Sequence, residues 1–269
     1  MSEPQIRWFK DVSGDEVSQV GGKGAALGEM YRELTGQGVR IPDGFVATTR
    51  AYRDFLEADV PGAVWEALEA GPDLEPVHQR AASTGTLAEA LREVFRDAPH
   101  DDSVEMHARA GLARRLVLAT PVPPGVRAAV EDGDQALCDE YGREVDTAVR
   151  SSATREDSTM ASFAGQYESF LNIRGADSVV EAWRKCVASG FTDRAVSYQL
   201  RRDMDPLGGA VAVIVMKMVR SDLATSGVMF TLDPESGNRN VIYISSSYGL
   251  GELVVQGKVS PDTFLVWKE

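Results

Sequence analysis

A long segment in the middle of the chain contains few side chains that could form a core. Residues 149–174 read VRSSATREDSTMASFAGQYESFLNIR, and residues 151–165 are mostly small, hydroxylated or charged. Small residues let the backbone approach a ligand closely, and their N–H and O–H groups are hydrogen-bond donors. Arg150, at the start of the segment, carries a planar guanidinium group suited to phosphate. The segment is therefore either a loop that faces an anionic ligand or an ordinary surface loop.

A second glycine-rich element lies near the N-terminus. Residues 20–30 read VGGKGAALGEM, so that Lys23 stands among glycines and apolar residues then begin a helix. The N-terminus of a helix favours an anion through its unpaired N–H groups and its dipole. The element is not a Walker A loop, because Gly24 stands where that loop needs Ser or Thr. By itself it fits equally well a glycine turn with a solvated lysine.

Both elements belong to an ordered series of motifs. The series reads GGKGAALGEM, IPDGFVATTRAY (41–52), VRSSATREDSTMASFAGQYESFLNI, FTDRAVSY (191–198), MVRSDLATSGVMFTLDPESG (218–237) and YGLGELVVQGKVSPDTF (248–264). It resembles the N-terminal ATP-binding domain of the pyruvate phosphate dikinase family, which includes the phosphoenolpyruvate synthases and the rifampicin phosphotransferases. The resemblance covers nearly the whole chain and is weakest between residues 55 and 146.

The resemblance implies an α+β fold of the ATP-grasp type, with two lobes and the nucleotide between them. We predict a first lobe over residues 1–205, with a helical insertion over about residues 55–145. A second lobe is predicted over residues 206–269, where the sequence pattern changes from mostly helical to mostly strand. Relatives continue with further strands of this lobe, so we expect it to be incomplete in this sequence.

The resemblance also implies which residues bind ATP. Lys23 and Arg150 match the lysine and arginine that contact the phosphates. The loop that covers the phosphates would contain Ser151, Ser152, Thr154 and Gly165. Backbone groups near Lys217, Met218 and Val219 would bind the edge of adenine, while the side chains of Met218 and Val219 pack on its face. We predict no catalytic residue and no metal ligand within this sequence.

The resemblance implies ATP and Mg²⁺ as cofactors. It also implies a parent reaction that would convert ATP, pyruvate and water into AMP, phosphoenolpyruvate and phosphate. In this family a histidine on a separate domain carries the phosphate, so the expected partners are the phosphohistidine and pyruvate-binding domains of the same parent protein. The three histidines here do not stand in a glycine- and threonine-rich carrier motif, so we expect this chain alone to be inactive. The alternatives are the ATP module of a rifampicin-type phosphotransferase and a non-catalytic nucleotide-binding domain.

The composition excludes several other functions. The 269-residue chain has a net charge of −13 and a pI near 4.8, and it contains no block rich in Lys and Arg. Nucleic acid is therefore not an expected partner. The N-terminus lacks an apolar signal core and no apolar run reaches membrane-spanning length, so we expect a cytoplasmic protein without a membrane partner. Cys138 and Cys186 form no CxxC pair, and we predict that both are buried or half-buried.

Overall fold

The computed structural model describes residues 3–69, 74–99, 102–154, 157–158, 161–162, 168–202 and 204–268. The helices in these ranges are α1 (Val17–Leu34), α2 (Thr49–Leu56), α3 (Gly62–Ala67), α4 (Glu75–Ala82), α5 (Leu87–Phe95), α6 (Ser103–Ala119), α7 (Pro124–Glu140), α8 (Ala176–Ser189), α9 (Asp193–Leu200) and α10 (Gly251–Val255). The strands are β1 (Ile6–Trp8), β2 (Gly44–Ala47), β3 (Thr147–Ala153), β4 (Asp157–Ser158), β5 (Ala161–Ser162), β6 (Ser169–Ile173), β7 (Val211–Lys217), β8 (Thr225–Phe230), β9 (Val241–Tyr248) and β10 (Asp262–Trp267).

A five-stranded antiparallel sheet organises the first of two compact units, residues 1–218. Its strand order is β1-β2-β7-β3-β6, so β7 is the central strand and pairs with β2 on one side and β3 on the other. The first five residues of β7 are buried, as expected for an apolar run that is covered on both faces. A separate two-stranded ladder joins β4 and β5.

Helices cover both faces of this sheet. On one face α1 packs against β3 and β7, and Val20 and Ala25 form a small core with Val46 and Ile214. On the other face a much larger core includes Val149 and residues of α2, α5, α6, α7 and α8. The two cores are separated by the sheet because alternate residues of each strand point to opposite faces. Cys186 is buried and Cys138 is half-buried, as predicted.

Side-chain caps explain where several helices begin. Thr48, Asp102 and Thr192 each accept a hydrogen bond from a backbone N–H in the first turn of α2, α6 and α9. Thr86 and Glu89 form a capping box at the start of α5. None of the helices in the described ranges combines the length and the apolar character that crossing a bilayer requires. In the predicted helical region, α5 and α6 therefore begin at side-chain caps.

The second compact unit, residues 219–269, is built on a three-stranded antiparallel sheet. The order is β10-β9-β8, and α10 packs on β8. Every residue of the edge strand β10 is exposed, including Phe264 and Trp267. The sequence predicted the boundary between residues 205 and 206, whereas the structure divides between Met218 and Val219. The reason is that β7 is the centre of the first sheet.

Other local predictions also differ from the structure. Residues 151–153 were predicted to start a loop, but they complete β3 and are buried. Their small polar side chains resemble a loop sequence, and pairing with β7 outweighs that local preference. Helix α1 was predicted to begin after the glycines but begins at Val17, and the short strand β1 was not predicted. The mixed α+β class is confirmed, with helices packed against antiparallel sheets.

Gly44 lets β2 lie against β7 with no side chain between them. A Cβ at this position would lie 2.4 Å from the carbonyl oxygen of Val215 and 2.7 Å from the Cα of Met216. We predict that Gly44→Ala lowers the free energy of unfolding by about 1–3 kcal/mol or more, the cost of overpacking against backbone that cannot move aside. Urea denaturation measures this change.

Gly36→Ala is the matched control, since a Cβ there would have no neighbour within 4 Å. We expect it to leave stability unchanged or to raise it slightly, because alanine restricts the unfolded chain. Equal effects of the two substitutions would contradict the close approach of β2 and β7.

Candidate functional site

A break in α1 creates a second helix start beside Lys23. Gly21 has φ 71° and ψ 168°, which interrupts the helix and restarts it within the glycine-rich motif. A positive φ favours glycine, and a Cβ at Gly21 would also lie 2.1 Å from the backbone oxygen of Ser152. Lys23 is half-buried in the first turn after the break. The motif therefore does place a lysine at a helix N-terminus, inside α1 rather than before it.

The hydroxyl of Ser152 joins the two sides of this break. It accepts a hydrogen bond of 3.0 Å from the backbone N–H of Gly24 and donates one of 2.9 Å to the carbonyl oxygen of Val20. Ser152 is fully buried in β3. Its side chain therefore satisfies one donor and one acceptor that the break leaves without helical partners. The predicted phosphate-loop serine instead holds the lysine-bearing helix against the sheet.

Arg150 lies on the same face of the sheet as α1. It pairs with Ile214, and Ser152 pairs with Ala212, while both Ile214 and Ala212 belong to the small core under α1. Directly paired residues of antiparallel strands project to the same face, so Arg150 and Ser152 share the α1 face. Arg150 is exposed, whereas its neighbours in β3 are buried. The structure thus brings Arg150 and the helix that carries Lys23 to one face.

The other predicted phosphate-loop residues have different surroundings. Ser151 is buried, and it pairs with Val213, whose side chain belongs to the large core on the opposite face of the sheet. The hydroxyl of Thr154 lies 3.3 Å from both the backbone nitrogen and the oxygen of Ala210. It therefore ties the end of β3 to the residue before β7. Gly165 lies outside the described residues.

Backbone amides at the end of β7 are already hydrogen-bonded. The N–H of Lys217 donates to the carbonyl oxygen of Asp43 at 2.9 Å, and that of Met218 donates to the carbonyl oxygen of Asp146 at 2.8 Å. The side chain of Met218 is buried, and its Sδ accepts from the N–H of Asn172 at 3.2 Å. Val219 is the next residue and its side chain is 61% exposed. The backbone amides of two of the three predicted adenine-binding residues, Lys217 and Met218, therefore already donate hydrogen bonds within the first unit.

A cluster of ionisable groups surrounds Asp43 beside this strand end. Burial, followed by the negative charge of Asp43, raises the pKa of Tyr31, of Glu140 and of Tyr141. The ammonium group of Lys217 lies 4.7 Å from the centre of the Tyr141 ring, a cation–π contact. Asp43 itself is 5% exposed, and its carboxylate accepts a 2.7 Å hydrogen bond from the N–H of Gly44. The motif that contains Asp43 and Gly44 therefore fixes the end of β7.

Two of the three histidines lie in described parts of the chain and have neighbours of their own. The ring of His78 packs edge-on against Trp65 at 5.4 Å. The Nδ1 of His107 lies 3.2 Å from Asp193, and this interaction lowers the pKa of Asp193. His100 is outside the described residues. Among the described residues, no group of three or more His, Cys, Asp and Glu side chains is arranged to hold a metal ion.

Comparison with known proteins assigns these features to a family. The pattern of the pyruvate phosphate dikinase AMP/ATP-binding domain matches residues 17–269. The chain belongs to this family. It is 44% identical over 268 residues to a phosphoenolpyruvate synthase of Synechocystis and 39% identical over 267 residues to that of Escherichia coli. These alignments cover 98% and 99% of the chain but 30% of each relative.

The chain spans about a third of the length of the relatives that it matches. A phosphoenolpyruvate synthase of Neisseria meningitidis is 42% identical over 269 residues, and the chain spans 31% of its length. The predicted family is confirmed, and the glycine-rich motif around Lys23 and the strand that holds Arg150 both lie in the matched region.

Sequence reasoning missed the residues that hold the site together. Asp43 and Asp146 bind the amides at the end of β7, and Val20 binds the hydroxyl of Ser152. Asp43 belongs to the motif of residues 41–52. The hydrogen bond between its carbonyl oxygen and Lys217 nevertheless depends on the pairing of β2 with β7, which are distant in the sequence. No local pattern marks the carbonyl groups of Val20 or Asp146.

We predict that Ser152→Ala lowers the free energy of unfolding by about 1–3 kcal/mol, because a buried donor and a buried acceptor lose their partner. Ser151→Ala is the matched control, since this neighbouring serine is equally buried but its hydroxyl makes no hydrogen bond among the described residues. Urea denaturation of both variants is the measurement. A loss in Ser151→Ala as large as that in Ser152→Ala would show that the bridge across the α1 break contributes nothing specific.

Proposed function

We propose that this chain binds ATP as its Mg²⁺ complex and presents the phosphates for transfer. The observation that carries the proposal is the shared face of Arg150 and the Lys23 helix, joined through Ser152, in a chain of an ATP-binding family. Two cations at one place are what an acidic protein needs to hold a polyanion. The small residues around Lys23 and after Arg150 leave room for phosphate oxygens to approach the backbone.

The proposed fold is of the ATP-grasp type, in which a nucleotide binds between two lobes. Support comes from the family match, since the pattern of the pyruvate phosphate dikinase AMP/ATP-binding domain covers residues 17–269. Because the amides of Lys217 and Met218 are already hydrogen-bonded, the amide N–H of Val219 is the donor we assign to the adenine edge. Ser151, Ser152 and Thr154 then serve the site by positioning its backbone, while Lys23 and Arg150 contact the phosphates.

We propose that Mg²⁺ enters with the nucleotide, since Mg²⁺ usually keeps several waters and binds to the phosphates of its substrate together with one or two carboxylates. Within this chain the cationic side chains neutralise phosphate charge. The buried strand and helix that carry them hold those cations in fixed positions, which is the principal contribution of a protein to phosphoryl transfer.

The parent protein is proposed to be a phosphoenolpyruvate synthase. Its reaction would convert ATP, pyruvate and water into AMP, phosphoenolpyruvate and phosphate, with a histidine on another domain as the intermediate phosphate carrier. The names of the relatives support this proposal over an antibiotic phosphotransferase. His78 packs against Trp65 and His107 pairs with Asp193, and neither stands in a carrier motif.

We predict that Lys23→Ala and Arg150→Ala each weaken ATP binding by about ten- to a hundredfold, the effect of losing a charge-assisted hydrogen bond of about 1.5–3 kcal/mol. Isothermal titration calorimetry with Mg-ATP measures the affinity of both variants and of the double variant. Because both cations would hold the same phosphate chain, the two effects should not simply add.

Lys185→Ala is the control, since this surface lysine on α8 pairs only weakly with Glu181, at 4.0 Å. Its ATP affinity should equal that of the unsubstituted chain. If Lys23→Ala and Arg150→Ala both behave like Lys185→Ala, the proposed phosphate site is wrong.

We also predict that the chain with ATP, Mg²⁺ and pyruvate forms no phosphoenolpyruvate. Transfer requires an acceptor held about 3–3.5 Å from the phosphorus, and no histidine of the sequence stands in a carrier motif. Phosphorus NMR follows ATP, AMP and phosphoenolpyruvate together, and broadening of the ATP signals shows that the nucleotide is bound. The appearance of AMP with phosphoenolpyruvate would place a phosphate carrier within these 269 residues.

A further inference from the structure

A surface cavity of about 470 Å³ lies away from the proposed nucleotide site. Its wall is formed by the last turns of α7, by residues 142–144 and by the first residues of α8. Both helices belong to the larger core, on the face of the sheet opposite α1. The cavity is therefore separate from Lys23 and Arg150.

Negative charge dominates the lining. Asp134, Asp139 and Glu144 contribute three carboxylates, while Arg143 is the one cation among the described lining residues. Asp139 accepts a 2.7 Å hydrogen bond from the side-chain nitrogen of Gln135, which leaves its charge uncompensated. The cavity thus favours a cationic occupant and disfavours an anion.

Asp134 is the side chain that points to a ligand. It is 4% exposed and lines the cavity, yet its carboxylate makes no hydrogen bond or ion pair with any residue in the described ranges. Burial raises the pKa of Asp134, and the nearby charge of Glu144 raises it further. A buried carboxylate without a partner destabilises a folded protein. We therefore expect a bound ligand to donate a hydrogen bond to the carboxylate of Asp134.

The chemistry of the lining distinguishes an organic cation from a metal ion. Among the residues that the structure describes, no group of three or more His, Cys, Asp and Glu side chains is arranged to hold a metal ion. Its volume also exceeds what a bare ion occupies. An aliphatic chain with an ammonium group at each end can offer a cation to more than one of the three lining carboxylates.

We propose that this cavity binds a small aliphatic diamine, with one ammonium group paired to Asp134. The second ammonium group then meets the remaining carboxylates of Asp139 and Glu144. This site is independent of the proposed nucleotide site, because it uses none of the same residues.

Calorimetric titration of the 269-residue chain with 1,4-diaminobutane tests the proposal. We expect saturable binding, and Asp134→Asn should weaken it about tenfold or more, because a charge-assisted hydrogen bond is lost. Asp132→Asn is the matched control, since Asp132 is an exposed carboxylate of α7 that does not line the cavity. It should bind the diamine like the unsubstituted chain. Equal binding by Asp134→Asn would overturn the proposal, as would binding of Mg²⁺ but not of the diamine.

Stability provides a second and independent readout. Because the folded-state pKa of Asp134 is raised, this group stabilises the fold only while protonated, and that stabilisation is lost as the pH rises through the folded pKa. Without ligand, Asp134→Asn should therefore be at least as stable as the unsubstituted chain at neutral pH, in urea denaturation.

Diamine affinity should fall as the pH is lowered towards the raised pKa of Asp134. Asp139, Glu144 and Arg143 are the other charged groups that line the cavity. A clear loss of stability in Asp134→Asn would show that its carboxylate has a structural partner, which contradicts the proposal.

Discussion

One buried hydroxyl connects the two halves of the proposed phosphate site. Ser152 bonds to Gly24 and Val20 on either side of the break in α1, at 3.0 and 2.9 Å. The break would otherwise leave an unsatisfied donor and an unsatisfied acceptor in a buried position, which is costly. With Ser152 in place, the restarted helix that carries Lys23 is fastened to the strand that carries Arg150. The position of Lys23 relative to the strand that carries Arg150 therefore depends on this pair of hydrogen bonds.

The end of β7 is held by the same kind of contact. The amides of Lys217 and Met218 are bound by carbonyl oxygens of Asp43 and Asp146, which lie in two other segments of the chain. Gly44 permits the close strand packing on which the first of these contacts depends. Backbone hydrogen bonds therefore hold Lys217 and Met218, the last residues of the first unit, independently of their side chains.

The sequence predicted the fold best where local and tertiary signals agree. The helical insertion predicted over about residues 55–145 contains α3 to α7, and the mostly strand pattern predicted near the end of the chain corresponds to β8, β9 and β10. Residues 151–153 were assigned to a loop because small hydroxylated residues favour turns locally, while their burial in β3 is determined by pairing with β7. Lys23 and Arg150 could be selected from motifs. The bridge of Ser152 and the unpaired carboxylate of Asp134 could not, since both depend on which distant segments meet in the folded protein.

The exposed strand β10 has a practical consequence for work with this chain. It is an edge strand, and Phe264, Leu265, Val266 and Trp267 are all exposed on it. An apolar edge with unpaired backbone groups is a template on which another chain can add a strand. We therefore expect self-association through backbone pairing at high concentration, and we expect a single charged residue introduced on β10 to reduce it.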